Sequence, residues 1–202
     1  MRATAGSLAG VTASLLLPRI AEAHALSPGI GDFYAGAYNL VGGPVDAMLW
    51  LSVAVLAGLH RQARAGWVAE WFSAGLLAGF LAARASGLAA PPEVADAAML
   101  LLLGGLLALG RPLPAAALYG LTAAIAAIRG WHYGADTMAR ADLAALAGGL
   151  GLAGYALVAC GIAIAAWFAQ GAGGWRPIAM RALGSWISAI AVLSGGLALL
   201  HR

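Results

Sequence analysis

The segment Arg129-Gly-Trp-His-Tyr-Gly-Ala-Asp136 carries a histidine and a carboxylate at i and i+4 where a long apolar run ends. Residues at that spacing share one helix face. An imidazole beside a carboxylate suits cobalt or zinc. Ionisable groups at the end of a membrane helix are expensive to place and mark ion or substrate paths. Three further residues join the candidate set. Asp46 closes Asn39-Leu-Val-Gly-Gly-Pro-Val-Asp46, Asp32 lies in Gly31-Asp-Phe-Tyr-Ala-Gly36, and His24 follows a small-x-small site at Ala21-Glu22-Ala23. If the chain is cut there, His24 offers its amine and its imidazole to one ion, a chelating pair suited to divalent nickel or copper. The set is thus His24, Asp32, Asp46, His132 and Asp136, with His24, Asp46, His132 and Asp136 as the expected metal ligands.

Structural roles stand beside each of these. His24 is also an ordinary polar residue after a cleavage site, and Asp46 is placed to favour the dipole of a helix N-terminus. His132 and Asp136 also read as a hydrogen-bonded pair near the headgroups. Arg129 repels a bound cation unless Asp136 or Asp142 neutralises it. An arginine filling the gap between the candidate ligands is therefore the arrangement that argues against transport. Glu70 pairs with Arg64 or lines an exit path, and His60 and His201 fall outside the site.

The elements that must position these residues are apolar helices. The chain is 62% hydrophobic and 9% charged, with a mean hydropathy of +0.87, whereas about a quarter of the residues of a soluble domain are charged. This composition predicts an all-α integral membrane bundle in a lipid bilayer. All 11 basic residues are arginine and the net charge is only +3, with no basic, aromatic-interleaved face for nucleic acid. No nucleophile and base pair, phosphate loop, cysteine pair or histidine-glutamate metalloprotease motif is present, so an enzyme is not expected. The single cysteine, Cys160, excludes an intrachain disulfide and reads as a small buried residue.

The order of segments gives the architecture. Arg2, an apolar stretch to Leu17 and the Ala21-Glu22-Ala23 site predict a cleaved signal over 1–23, ahead of one transmembrane domain over 24–202. About six crossings follow, at Pro44–Leu59, Trp67–Ala83, Val94–Leu109, Leu113–Ile128, Leu143–Ala169 and Ile178–Leu200. Arg129 to Asp142 reads as one of the breaks between them. Trp67, Trp71, Trp131, Trp167 and Trp175 sit near the ends as interfacial anchors, and Gly75, Gly79, Gly104, Gly148 to Gly154 and Gly195 have helix-packing spacing. An exported mature N-terminus makes the turns with Arg61, Arg64, Arg111, Arg176 and Arg181 cytoplasmic. Asp32, Asp46, Glu93, Asp96, Asp136 and Asp142 then fall on the exported side, an acidic face that gathers cations.

The pattern resembles the HupE/UreJ family of small membrane proteins associated with hydrogenase and urease clusters. The resemblance rests on a signal ending before His24, the Gly31–Gly36 stretch, the Gly43-Pro-Val-Asp46 helix start and the Arg129–Asp136 segment. It implies a bacterial inner-membrane protein, multi-pass with a periplasmic N-terminus, that acts as a nickel or cobalt permease or metal-binding accessory protein. The family's first motif, His-Pro-(x)n-Asp-His, reads Asn39 for its leading histidine and Asp46-Ala47 for its Asp-His pair. Its second, His-Gly-x-x-His-Gly-x-Glu, aligns on Gly130 and Gly134, which puts Arg129 and Tyr133 at the histidine positions and Asp136 at the acid. The competing reading is a non-transporting structural subunit or assembly factor that packs against a larger membrane protein complex.

Overall fold

A computed structural model of the chain describes residues 28–60, 65–111, 113–137, 141–171 and 174–200. Helices are the only regular elements among them: α1 Pro28–Asn39, α2 Pro44–Leu59, α3 Ala65–Ser86, α4 Glu93–Leu109, α5 Ala115–Asp136, α6 Leu143–Gln170 and α7 Trp175–Leu200. The helices α2 to α7 occupy the six expected apolar segments. The expected signal over 1–23 and His24 lie outside the described residues.

Two elements depart from expectation. The stretch up to Asn39 forms a helix, α1, where the sequence reading assigns none. Its amphipathic pattern leaves Gly36 and Leu40 buried against the bundle while Tyr34 and Tyr38 stay exposed. In addition α5 does not stop at Ile128 but continues for two more turns to Asp136. Arg129, His132 and Tyr133 therefore project from a helix, because burial and partners outweigh the polarity that made this stretch read as a turn. Cys160 is a third correction, since it is exposed on the apolar surface and not buried.

Local chemistry explains most of the ends. Gly43 caps α2 with Pro44 in its first turn, where the missing proline N–H would have no helical partner. Gly110 ends α4 at φ 61 with its N–H on the Leu106 and Leu107 carbonyls, a left-handed cap that glycine adopts without steric cost. The Asp142 carboxylate caps α6 by accepting from the Ala144 and Ala145 amides at 3.0 and 3.1 Å. The backbone N–H of Asp142 in turn donates to Asp32 at 2.6 Å, which ties α1 to the start of α6.

The tightest seam joins α3 and α5, which run parallel. A Cβ on Gly75 or Gly79 would lie 2.5 or 1.9 Å from the Ala123 or Ala127 carbonyl oxygen, and one on Gly130 or Gly134 would lie 2.0 or 2.5 Å from that of Leu76 or Phe80. These four glycines let the two backbones touch, as small residues do where no hydrophobic drive separates helix from lipid. Glycine contacts also bring α4 against α7, through Gly104 and Gly184. The pair α4 and α7 leans on the remaining helices chiefly through α2.

Among the described residues three helices are long and apolar enough to cross a bilayer: α3 over Gly66–Ser86, α6 and α7. The α1–α2 pair makes a fourth if it is one span bent by 68°. The 16 residues of α2 and the 17 of α4 are shorter. At 1.5 Å per residue they reach about 25 Å, against a hydrocarbon core of about 30 Å.

The α3–α5 seam makes a direct prediction. Gly79→Ala places a methyl group inside the Ala127 carbonyl contact, and an overpacked seam loses about 1–3 kcal/mol. Denaturation of the purified protein in micelles is expected to show that loss, whereas Gly120→Ala, where a Cβ meets open space, is expected to be neutral or better.

Candidate functional site

At the end of the bundle where α2, α4 and α6 begin and α3 and α5 finish, a cavity of about 680 Å³ opens. Asp32, Asp46, Glu93, Asp96 and Asp136 line it together with Arg129, His132 and Tyr133. The end of α5 supplies one wall, through Arg129, His132 and Tyr133, and the parallel α3–α5 seam sets the orientation of that helix. Gly130 and Gly134 face α3, so the residue before each, Arg129 and Tyr133, turns to the neighbouring face of α5 and reaches Asp46 in the first turn of α2.

Arg129 occupies the centre. Its Nη1 donates to both oxygens of Asp96, at 2.9 and 2.8 Å, and its Nη2 donates to Oδ1 of Asp46. The Tyr133 hydroxyl donates to the same Asp46 oxygen and lies 3.2 Å from the Asn39 carbonyl. The guanidinium also stands 5.2 Å from the Tyr133 ring centre. The side chains are only 11% (Arg129), 12% (Asp46) and 15% (Asp96) exposed. Two carboxylates held this far from water need a cation between them, and Arg129 is that cation. Its rigid fork suits the task better than an ammonium would.

His132 sits beside this cluster without entering it. Its Nδ1 lies 3.0 Å from the Ile128 carbonyl and its Nε2 lies 3.0 Å from the Pro91 carbonyl and 4.0 Å from Asp96. A neutral ring donates through one nitrogen only, so the doubly protonated ring alone satisfies both carbonyls. A metal ion needs a free nitrogen lone pair, which here requires release of one of these contacts.

The expected ligands thus gather in part. Asp46, His132 and Asp136 line one cavity, with Asp136 exposed at its rim, while Asp32 holds the Asp142 amide. Arg129 is neutralised by Asp46 and Asp96, not by Asp136 or Asp142, the latter being the α6 cap. Among the described residues no three His, Cys, Asp or Glu side chains form a group that could hold a metal ion. Asp96 and Tyr133 are the residues that sequence reasoning left out of the site. Tyr133 had a signal, its i+4 spacing from Arg129 at a motif position. Asp96 had a weaker one, an acid one turn inside an apolar helix.

The HupE / UreJ family matches residues 12–194, nearly the whole chain. The chain belongs to the HupE / UreJ family. Comparison with curated proteins and with solved structures finds no match. At the level of the HupE / UreJ family this is a membrane protein of the nickel- or cobalt-associated accessory or permease-like kind. The Arg129 and Tyr133 side chains, one turn apart on α5, both end on Asp46.

Removing the central cation leaves two carboxylates facing each other in a poorly hydrated site. Arg129→Gln is expected to lose about 3–5 kcal/mol, the cost of breaking a buried ion pair. Denaturation in micelles checks this, and adding Asp46→Asn and Asp96→Asn to Arg129→Gln is expected to recover part of the loss. Equal stability of the parent and Arg129→Gln would show that the bridge carries no weight.

Proposed function

We propose that this chain is an accessory protein of nickel or cobalt handling in the bacterial inner membrane, which gathers divalent cations at an acidic external vestibule and does not conduct them through its own bundle. Arg129 carries this reading: a tethered guanidinium bridges Asp46 and Asp96 at the point where a passing cation would bind. Below it the interior is mainly apolar, filled by Leu49, Val53, Leu56, Leu100, Leu103 and Ile125, all at most 2% exposed, with the hydroxyls of Ser52 and Thr122 among them. Two neutral hydroxyls do not replace the hydration shell of a divalent ion. In this reading α2 to α7 make six crossings, residues 1–23 are the export signal, and His24 adds its amine and imidazole at the vestibule. The bundle then presents the ion to, or packs within, a larger membrane assembly.

One observation favours a second reading, a permease. The vestibule is open and holds Glu93 and Asp136 beyond the Arg129 bridge, a set of carboxylates that concentrates cations. Passage would then require the incoming ion to displace the guanidinium.

Metal accumulation in cells separates the two. Cells expressing the parent, Asp46→Ala, His132→Ala or Arg129→Gln, with insertion of each verified, are expected to accumulate no more nickel or cobalt than vector controls. Uptake by the parent above the vector, lost in Asp46→Ala, would replace the accessory reading with the permease.

A further inference from the structure

The consecutive helices α6 and α7 scarcely touch. The former packs on α1, α2 and α3, the latter on α4. Between them runs a groove of about 510 Å³ floored by α2 and almost wholly apolar, lined among others by Trp50, Val55, Cys160, Ile164, Phe168 and Leu183. That volume falls among small-ligand sites, about 300–1,000 Å³. Both walls are helices that meet the criteria for a membrane crossing, so the groove opens to lipid and not to water.

Its length and its end identify the occupant. Along α6 the groove spans Leu157 to Phe168, about 16 Å at the helical rise, which is close to half of the roughly 30 Å hydrocarbon core. A partner's transmembrane helix would need the whole core. The groove ends at the α6–α7 connection, where Trp167 and Trp175 are exposed in the manner of residues at headgroup depth. Arg176 is fixed there. Its Nη1 donates to the Phe168 carbonyl at 2.7 Å, and its guanidinium stands 5.1 Å from the Phe168 ring centre and 5.9 Å from that of Trp175. The side chain crosses directly over Gly171, whose Cβ, if it had one, would fall 1.3 Å from Nη1. The other described charges at this end are Arg111, Arg181 and Glu70, so the surroundings are cationic.

We propose that this groove is a seat for one anionic phospholipid, with an acyl chain between α6 and α7 and the phosphate on Arg176. Arginine provides a forked set of donors for phosphate, and the Phe168 carbonyl engages only one nitrogen. The site lies at the opposite end of the bundle from the acidic vestibule and does not depend on how the protein handles metal.

Cys160 is the sole cysteine of the chain and lines the groove, so its reaction rate reports occupancy. The full chain is placed in nanodiscs of phosphatidylcholine, with or without phosphatidylglycerol, and its modification by a membrane-permeant maleimide is timed. Phosphatidylglycerol is expected to slow the parent about fivefold, the factor equivalent to the roughly 1 kcal/mol of one arginine at an anionic lipid surface. Arg176→Gln is expected to react at one rate in both membranes, and Arg176→Lys to keep part of the protection. Should Arg176→Gln fail to fold, Gly171→Ala keeps the charge but evicts the guanidinium, and the difference is expected to shrink. Equal rates for the parent in both membranes overturn the proposal, as does a difference that survives in Arg176→Gln. Cys160-linked dimers that form equally with and without phosphatidylglycerol would also overturn it, by assigning the groove to a second copy of the chain.

Discussion

Everything at the acidic end depends on one cation held between two carboxylates. Arg129 on α5 joins Asp46 on α2 to Asp96 on α4, and it is the one side chain that bonds to both carboxylates. The pair α4 and α7 otherwise rests on the rest of the bundle mainly through α2, so the bridge is a clamp between two packed bodies. Its strength comes from poor hydration: the same three groups in water would attract each other only weakly. Each member also makes the others tolerable, since any one alone would be a charge without a partner in an apolar wall.

The motif around Arg129 divides into frame and filling. Gly130 and Gly134 serve the contact with α3 and would serve it whatever stood beside them. Arg129 and Tyr133 are the filling, carried by that frame to a fixed point above Asp46. Other side chains at these two positions would leave the seam intact, whereas the pair present fills the point above Asp46 with a covalently attached cation. Helix packing and the chemistry of the site are in this way carried by different atoms of the same eight residues.

The apolar runs were legible because the bilayer imposes length and hydropathy on them, and all six segments are helical, five of them close to the expected limits. What the sequence hid was tertiary. Polar residues from Arg129 to Asp136 look like a turn when read along the chain, and become the last two turns of α5 only because Asp46, Asp96 and the Pro91 carbonyl receive them from other helices. Asp96 could not be matched to Arg129 across 33 residues by any local pattern. The α1 helix escaped for a different reason, its mixture of glycine, tyrosine and alanine having no continuous apolar run. Cys160 looked buried because its neighbours are apolar, yet in a membrane an apolar environment includes the lipid.

The bend between α1 and α2 has a consequence for how the vestibule can vary. Because the chain breaks there, the Asn39 carbonyl turns toward Tyr133 and that of Leu40 toward the Trp50 indole, which donates to it at 3.0 Å. The polar lining thus includes main chain at Asn39, and exchanging the Asn39 side chain leaves that oxygen where it is. That acceptor is set by the path of the chain, whereas the carboxylates, imidazole and guanidinium around it depend on which side chains the sequence supplies.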